Sequence, residues 1–166
     1  SQENNFVPVV EPEILFDGVH TTTRCAEISV KVWNILFEKL KAGGIDLNNL
    51  ILKTNMVLPG KDSGVKAAPL EVAEATLRSL KQVIPPEVGG IVFLSGGQTP
   101  DEATNNLNEI IKRKRDAPWD LSFSYARALQ QEALNTWAGK EESVKTAQEV
   151  FLKRLEMVSK ARKGEL

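Results

Sequence analysis

The chain has a single cysteine, Cys25, and a single histidine, His20. One cysteine makes no internal disulfide, and the lack of a disulfide framework fits a reducing cytoplasm. With no His/Cys cluster of the kind that holds an ion, no metal cofactor is expected. Neither sign of charge is in excess: Lys plus Arg number 21 against 22 for Asp plus Glu, a formal net charge of -1. That removes the basic surplus expected of a chain whose main partner is nucleic acid or an anionic membrane. No apolar run is long enough to span a bilayer. No dinucleotide glycine fingerprint follows the first apolar run either. What is present is an ordinary globular composition, 42% hydrophobic and 26% charged over 166 residues, enough for one domain with a real core.

Phe6-Val7-Pro8-Val9-Val10 reads as a short buried strand, closed by Glu11-Pro12-Glu13 with a turn at Asp17-Gly18. Thr21 to Thr23 can cap a helix whose apolar positions include Cys25, Ile28, Val32, Ile35, Leu36 and Leu40, and Gly43-Gly44 stops it. Cys25 is expected there as a buried structural thiol. Leu50-Ile51-Leu52 is a second strand ending at Lys53, and a polar loop from Pro59 to Ala68 is long enough to be functional. Pro69 opens a helix on Val72, Ala73, Thr76, Leu77, Leu80 and Val83. Gly90 to Leu94 is a third strand running into Ser95-Gly96-Gly97. Thr99 and Pro100 then start a helix with Ala103, Leu107, Ile110 and Ile111 inward. Its cationic end, Lys112 to Arg115, complements the helix dipole and is read as solvated. Leu121 to Tyr125 is a fourth strand, followed at Arg127 by a helix through Leu129, Ala133 and Trp137. A last amphipathic helix carries Val144, Ala147, Val150, Phe151, Leu155 and Val158.

Strand, loop and helix therefore repeat four times, the period of βα units on a parallel sheet. Two architectures compete, an open doubly wound sheet and part of a (β/α)8 TIM barrel. Glu11, Lys53, Ser95 and Arg127 all fall at strand C-terminal ends, which in a barrel meet on the catalytic face. A full barrel takes about 250 residues. The expectation is thus an α/β chain carrying half a TIM barrel, four βα units plus a C-terminal helix, as one unit over residues 1–166.

The chemistry-bearing residues are few. Lys53 ends a buried strand, and where water is excluded a lysine's neutral amine is favoured and becomes a nucleophile. Glu11 and Glu13 share a face of an extended strand, and such a pair can hold one carboxyl protonated for proton transfer. Ser95-Gly96-Gly97 lets backbone approach a ligand and forms an anion nest, to which the helix opening at Thr99 adds positive dipole. Arg127 can clamp a phosphate. Singly, each also has a bland explanation: a strand-end charge, a solvated carboxylate, a turn, a first-turn arginine. In a barrel the last two strands are the usual phosphate site. Lysine, carboxylates and anion site then face one another, which suggests Schiff-base chemistry on a phosphorylated ketone or aldehyde.

Glu11-Pro12-Glu13-Ile14-Leu15, Leu52-Lys53 with Asn55-Met56-Val57, Phe93-Leu94-Ser95-Gly96-Gly97-Gln98, and Phe123-Ser124-Tyr125 with Arg127-Ala128-Leu129 come in an order and spacing that resembles class I fructose-bisphosphate aldolase. The resemblance covers nearly the whole chain, and it makes these strands the second, C-terminal half of the barrel. It implies that Lys53 forms a Schiff base with dihydroxyacetone phosphate, that Glu11 moves protons with Glu13 beside it, and that no metal takes part. It further implies that Ser95, Gly96 and Arg127 hold a substrate phosphate, with Gly97 in the same loop and Ser124 at the matching strand end. Implied partners are a phosphorylated sugar, the first half of the barrel and other copies in a homo-oligomer. The chain departs from the family at Thr54, where proline is usual, and at Ala126, where glycine is usual and its N–H approaches the phosphate; altered affinity is expected there. It also ends without the family's tyrosine-ended tail. The start without methionine, close to a strand, is read as a fragment of a longer polypeptide. Two other readings compete, another Schiff-base sugar-phosphate aldolase and a non-catalytic half-barrel assembly module.

Overall fold

In the computed structural model, which describes residues 1–166, four parallel strands lie side by side in the order in which the chain makes them. They are β1 (Val9–Val10), β2 (Ile51–Thr54), β3 (Gly90–Phe93) and β4 (Leu121–Phe123). Helices α1 (Thr22–Ala42), α2 (Pro69–Val83), α3 (Pro100–Arg113) and α4 (Arg127–Trp137) each follow one strand, and α5 (Val144–Lys163) comes last. A doubly wound sheet reverses its strand order part-way and takes its ligand at the reversal. No reversal occurs here, so the winding is that of consecutive strands in a barrel.

Side chains along a strand alternate between faces. In β2 and β3 the buried positions Leu52, Thr54, Ile91 and Phe93 alternate with Ile51, Lys53 and Val92, which are only half-buried. The buried set joins a core in which α1 packs on α2, α2 on α3, and α3 on α4 and α5. Trp33, Leu52, Leu80, Phe93, Leu107 and Ile110 are fully enclosed in it, each contributing about 1.5–3 kcal/mol. On the other face Lys53, Val92 and Ser122 stand in one row across three strands.

Helix starts follow the expected chemistry. Thr21 Oγ1 accepts from Arg24 N at 3.1 Å, and Thr99 with Glu102 forms a reciprocal capping box at 3.2 and 2.9 Å around Pro100. Ala68 has no side-chain oxygen, so at α2 only the return half exists, Ala68 N donating to Glu71 Oε2 at 2.9 Å.

Three expectations need correction. The first strand is not buried: only Val9–Val10 pair with β2, while Phe6, Val7 and Val9 are 69%, 53% and 54% exposed. Pro8 lacks an N–H, and β1 has a single neighbour, so this is an edge. In α1 the innermost stripe is Cys25, Ser29, Trp33 and Phe37, and Ile35 points out. A helix this rich in apolar residues has no unique rotation by spacing alone. The Trp33 indole settles it by donating to Thr54 Oγ1 at 2.9 Å. In α4 the buried residue is Ala128, and Trp137 stays exposed beside a groove with α5.

Candidate functional site

Register builds the centre of the site. Val10 lies beside Leu52 across β1 and β2, so the next residue, Glu11, falls beside Lys53. Lys53 Nζ and Glu11 Oε1 are 3.0 Å apart, with the side chains 23% and 43% exposed. An ion pair this open adds little stability. Its distance is that of a proton-transfer contact. Glu13 lies beyond the end of β1, exposed, and makes no ion pair with Lys53.

The backbone that carries Lys53 is held from behind by a buried polar network. Thr54 Oγ1 accepts from Trp33 and donates to Asn55 Oδ1 at 3.2 Å, while Asn55 Nδ2 donates to Ser29 Oγ at 3.2 Å and Met56 O at 3.0 Å. No buried side-chain polar atom lacks a partner. Threonine at 54 is thus the hinge of this network, with its hydroxyl doing what a proline could not. Cys25 sits at its margin, where burial pushes the thiol above its ordinary value, as expected of a structural cysteine.

One strand on, after β3, the chain makes the expected glycine turn. Gly96 and Gly97 take φ of +55° and +84°, in succession. The φ of Gly97 favours glycine, and a Cβ there would press on the Phe16 ring, 3.1 Å from Cδ1. Ser95 is buried, and its carbonyl accepts from Gln98 N and Nε2 at 3.0 and 2.8 Å. The N–H groups of Ser95, Gly96 and Gly97 make no hydrogen bond within the chain. Neither does the N–H of Ala126, just before α4. Its φ of −102° is one that any residue adopts, so alanine brings no backbone strain to the position. Arg127 is exposed at the first position of α4, and Ser124 is exposed at the end of β4, its N–H donating to Phe93 O at 2.8 Å.

The sequence reading did not anticipate how the loops after β1 and β2 are joined. Gly60 N donates to His20 O at 2.8 Å, Lys61 N to Phe16 O and Asp62 N to Gly18 O at 3.0 Å, and Gly18 N to Asp62 Oδ2 at 2.9 Å. A Cβ on Gly60 would sit inside the radius of Gly18 O. Across this seam the Lys61 ammonium bonds the Asp17 carboxylate. Lys61, by hydrogen bond and then charge, holds Asp17 below the usual carboxylate range, and the Arg127 guanidinium adds a smaller pull through space. Asp17 in turn raises Lys61 above its ordinary value, against a weak push from Arg127. The only sequence signal was a turn at Asp17-Gly18 and a polar loop forty residues later; nothing local paired them.

With this geometry in place, likeness to known proteins becomes informative. A family model described as fructose-bisphosphate aldolase class-I matches residues 1–166. The chain belongs to the class I fructose-bisphosphate aldolase family. It is 50% identical over 163 residues to the cytosolic fructose-bisphosphate aldolase 6 of Arabidopsis thaliana, covering 98% of this chain and 45% of that one. It is 51% identical over 164 residues to the chloroplastic aldolase 2 of Pisum sativum, covering 99% and 46%. Among solved structures, the Plasmodium falciparum aldolase in complex with TRAP and a small-molecule inhibitor superposes with a TM-score of 0.94 at 46% identity, over 99% of this chain and 47% of that one. This chain therefore spans about half the length of the relatives it matches. Those relatives include cytosolic and chloroplastic enzymes, and no helix here is long and apolar enough to cross a membrane.

Proposed function

We propose that the protein to which this chain belongs is a lysine Schiff-base aldolase that reversibly cleaves fructose 1,6-bisphosphate to dihydroxyacetone phosphate and glyceraldehyde 3-phosphate, a step of glycolysis and gluconeogenesis. Residues 1–166 are its C-terminal half-barrel, strands five to eight. The observation that carries the reading is the 3.0 Å contact between Lys53 Nζ and Glu11 Oε1, with a turn that has three unused amide N–H groups at the end of the strand next to that of Lys53. Strand order without reversal and coverage of under half of each relative support the half-barrel assignment.

The Lys53 amine adds to the ketone at C2, and Glu11 gives a proton to the hydroxyl that leaves as water. The iminium so formed accepts the electron pair of the C3–C4 bond when the C4 hydroxyl is deprotonated. The aldehyde departs, and an enamine remains on Lys53. Protonation at C3 and hydrolysis of the regenerated iminium release dihydroxyacetone phosphate and return the amine. Iminium formation supplies the electron sink, so the scheme requires no metal. Glu13, exposed on the same loop, is a secondary carboxylate of the site. Ser95, Gly96 and Gly97 offer N–H groups to a substrate phosphate, with Ala126 and Arg127 completing the cradle and Ser124 at its rim.

The test is reductive trapping. Borohydride added to the full-length protein with dihydroxyacetone phosphate is expected to fix one adduct, mapped by peptide mass to Lys53. Lys53→Ala is expected to lose turnover by about a thousandfold or more. An adduct on another lysine, or none, overturns the assignment. Relative rates on fructose 1,6-bisphosphate and other phosphorylated sugars decide which sugar phosphate the site prefers.

A further inference from the structure

The glycine turn after β3 is anchored by two amides that the mechanism above does not use. Gln98 is buried, and its side-chain amide is fully engaged. Nε2 donates to Ser95 O at 2.8 Å and rests on Met56 Sδ at 3.8 Å, while Oε1 accepts from Asn106 Nδ2 at 2.7 Å. Asn106, on α3, is buried as well. The Ser95 carbonyl also accepts from Gln98 N at 3.0 Å, closing a four-residue turn whose central residues, Gly96 and Gly97, both have positive φ. A carbonyl only accepts, so Ser95 O fixes which end of the Gln98 amide faces it, leaving Oε1 for the Asn106 donor.

The peptide plane carries this arrangement to the ligand. The Ser95–Gly96 bond is trans, so its C=O and N–H point to opposite sides. With the carbonyl held toward buried Gln98 by two donors, the Gly96 N–H is turned away from it, and no acceptor within the chain takes it. Glycine at 96 lets that peptide rotate. We infer that Gln98 and Asn106 are positioning residues for phosphate, an amide relay that runs from Asn106 through Gln98 to Ser95 O and holds the Gly96 N–H aimed at the anion. The inference rests on the reading that Ser95, Gly96 and Arg127 hold a substrate phosphate.

Both amides border the cleft of about 330 Å³ that Gly97 also lines. Water can replace a truncated side chain there, so the decisive variant reverses polarity instead of removing bulk. Asn106→Asp, nearly isosteric, sets an acceptor against Gln98 Oε1. The Gln98 amide then turns over to give Nε2 to the carboxylate, and its oxygen opposes Ser95 O. Gln98→Met removes the donor without adding an opposing acceptor, a milder change.

In the full-length protein, calorimetric titration with inorganic phosphate is expected to show binding about tenfold weaker in Asn106→Asp and about threefold weaker in Gln98→Met, the range of one or two buried hydrogen bonds. Borohydride trapping at Lys53 separates positioning from a general structural role. Trapping with dihydroxyacetone phosphate is expected to need about tenfold more ketone in Asn106→Asp. Trapping with dihydroxyacetone, which has no phosphate, keeps the concentration dependence of the unmutated protein. Equal weakening for both ketones overturns the inference, as does unchanged phosphate affinity in the two variants. If far-ultraviolet dichroism shows Asn106→Asp unfolded, Gln98→Met decides by the same two measurements. Arg127→Ala keeps failure of the inference apart from failure of the reading it rests on. Weaker phosphate binding in Arg127→Ala, with unchanged binding in the Asn106 and Gln98 variants, overturns the inference alone. Phosphate binding that is absent, or indifferent to Arg127→Ala, overturns the reading and the inference with it.

Discussion

Tyr125 is the only tyrosine of the chain. Its hydroxyl donates to Ala103 O at 2.9 Å, and its ring packs on Phe123 at a centroid distance of 5.3 Å. Burial pushes the phenol far above its ordinary value of 10.0. The folded pKa is raised, so the stability this group carries is intact below about pH 10 and is lost as pH climbs beyond it. Tyrosinate absorbance of the 166-residue chain is therefore expected to rise only together with loss of far-ultraviolet dichroism. A titration near pH 10 with the fold intact would contradict the burial. At this scale the sequence was most legible where a residue ends a strand. Lys53, Ser95 and Arg127 owe their candidacy to position, and the glycines at 96 and 97 to a turn that requires positive φ. Asp17 and Lys61 were illegible because an ion pair across forty-four positions leaves no local mark.

Among the helices, Arg154 of α5 is the element-scale counterpart. Its guanidinium, 6% exposed, takes both oxygens of Glu132 on α4 at 2.9 Å and Asp101 Oδ1 at the start of α3 at 2.9 Å. Three helices are thereby pinned by one planar fork. Lysine cannot reproduce that fork. Arg154→Lys is expected to destabilise by about 1–2 kcal/mol, below the 3–5 kcal/mol of a wholly buried pair because both carboxylates keep water. Urea denaturation of the two proteins measures it, and a change within error would show that the fork is dispensable. Sequence periodicity read α2 correctly, since Val72, Ala73, Thr76, Leu77 and Leu80 are all buried. It misplaced the stripe of α1 and missed Arg154 altogether, for a related reason. Spacing finds an apolar face, but a tryptophan's N–H or an arginine's two carboxylates decide the final rotation, and both are tertiary.

For the molecule as a whole, repeated strand–loop–helix units make the parallel sheet readable in the sequence. Its edges were not. The apolar run from Phe6 to Val10 has the composition of an inner strand, yet it has one neighbour and three exposed apolar side chains. Composition reports what a strand is suited to touch, and one side of β1 has no partner strand in this sheet. The 166-residue chain on its own is expected to self-associate through that edge, with mass by light scattering rising with concentration. Val9→Lys should suppress the rise. A concentration-independent monomer would show that the edge is covered in some other way.

The abutment of Gly60 on Gly18 has a mechanical consequence. With no room for even one carbon atom between them, and with backbone bonds on either side, the two loops behave as a single rigid bracket. The strand that carries Lys53 and the strand that leads to Glu11 end in the same bracket. Their spacing is then a tolerance of the part rather than an outcome of two separate motions. Whatever shifts one loop carries the other with it, and the distance between amine and carboxylate is conserved through the displacement.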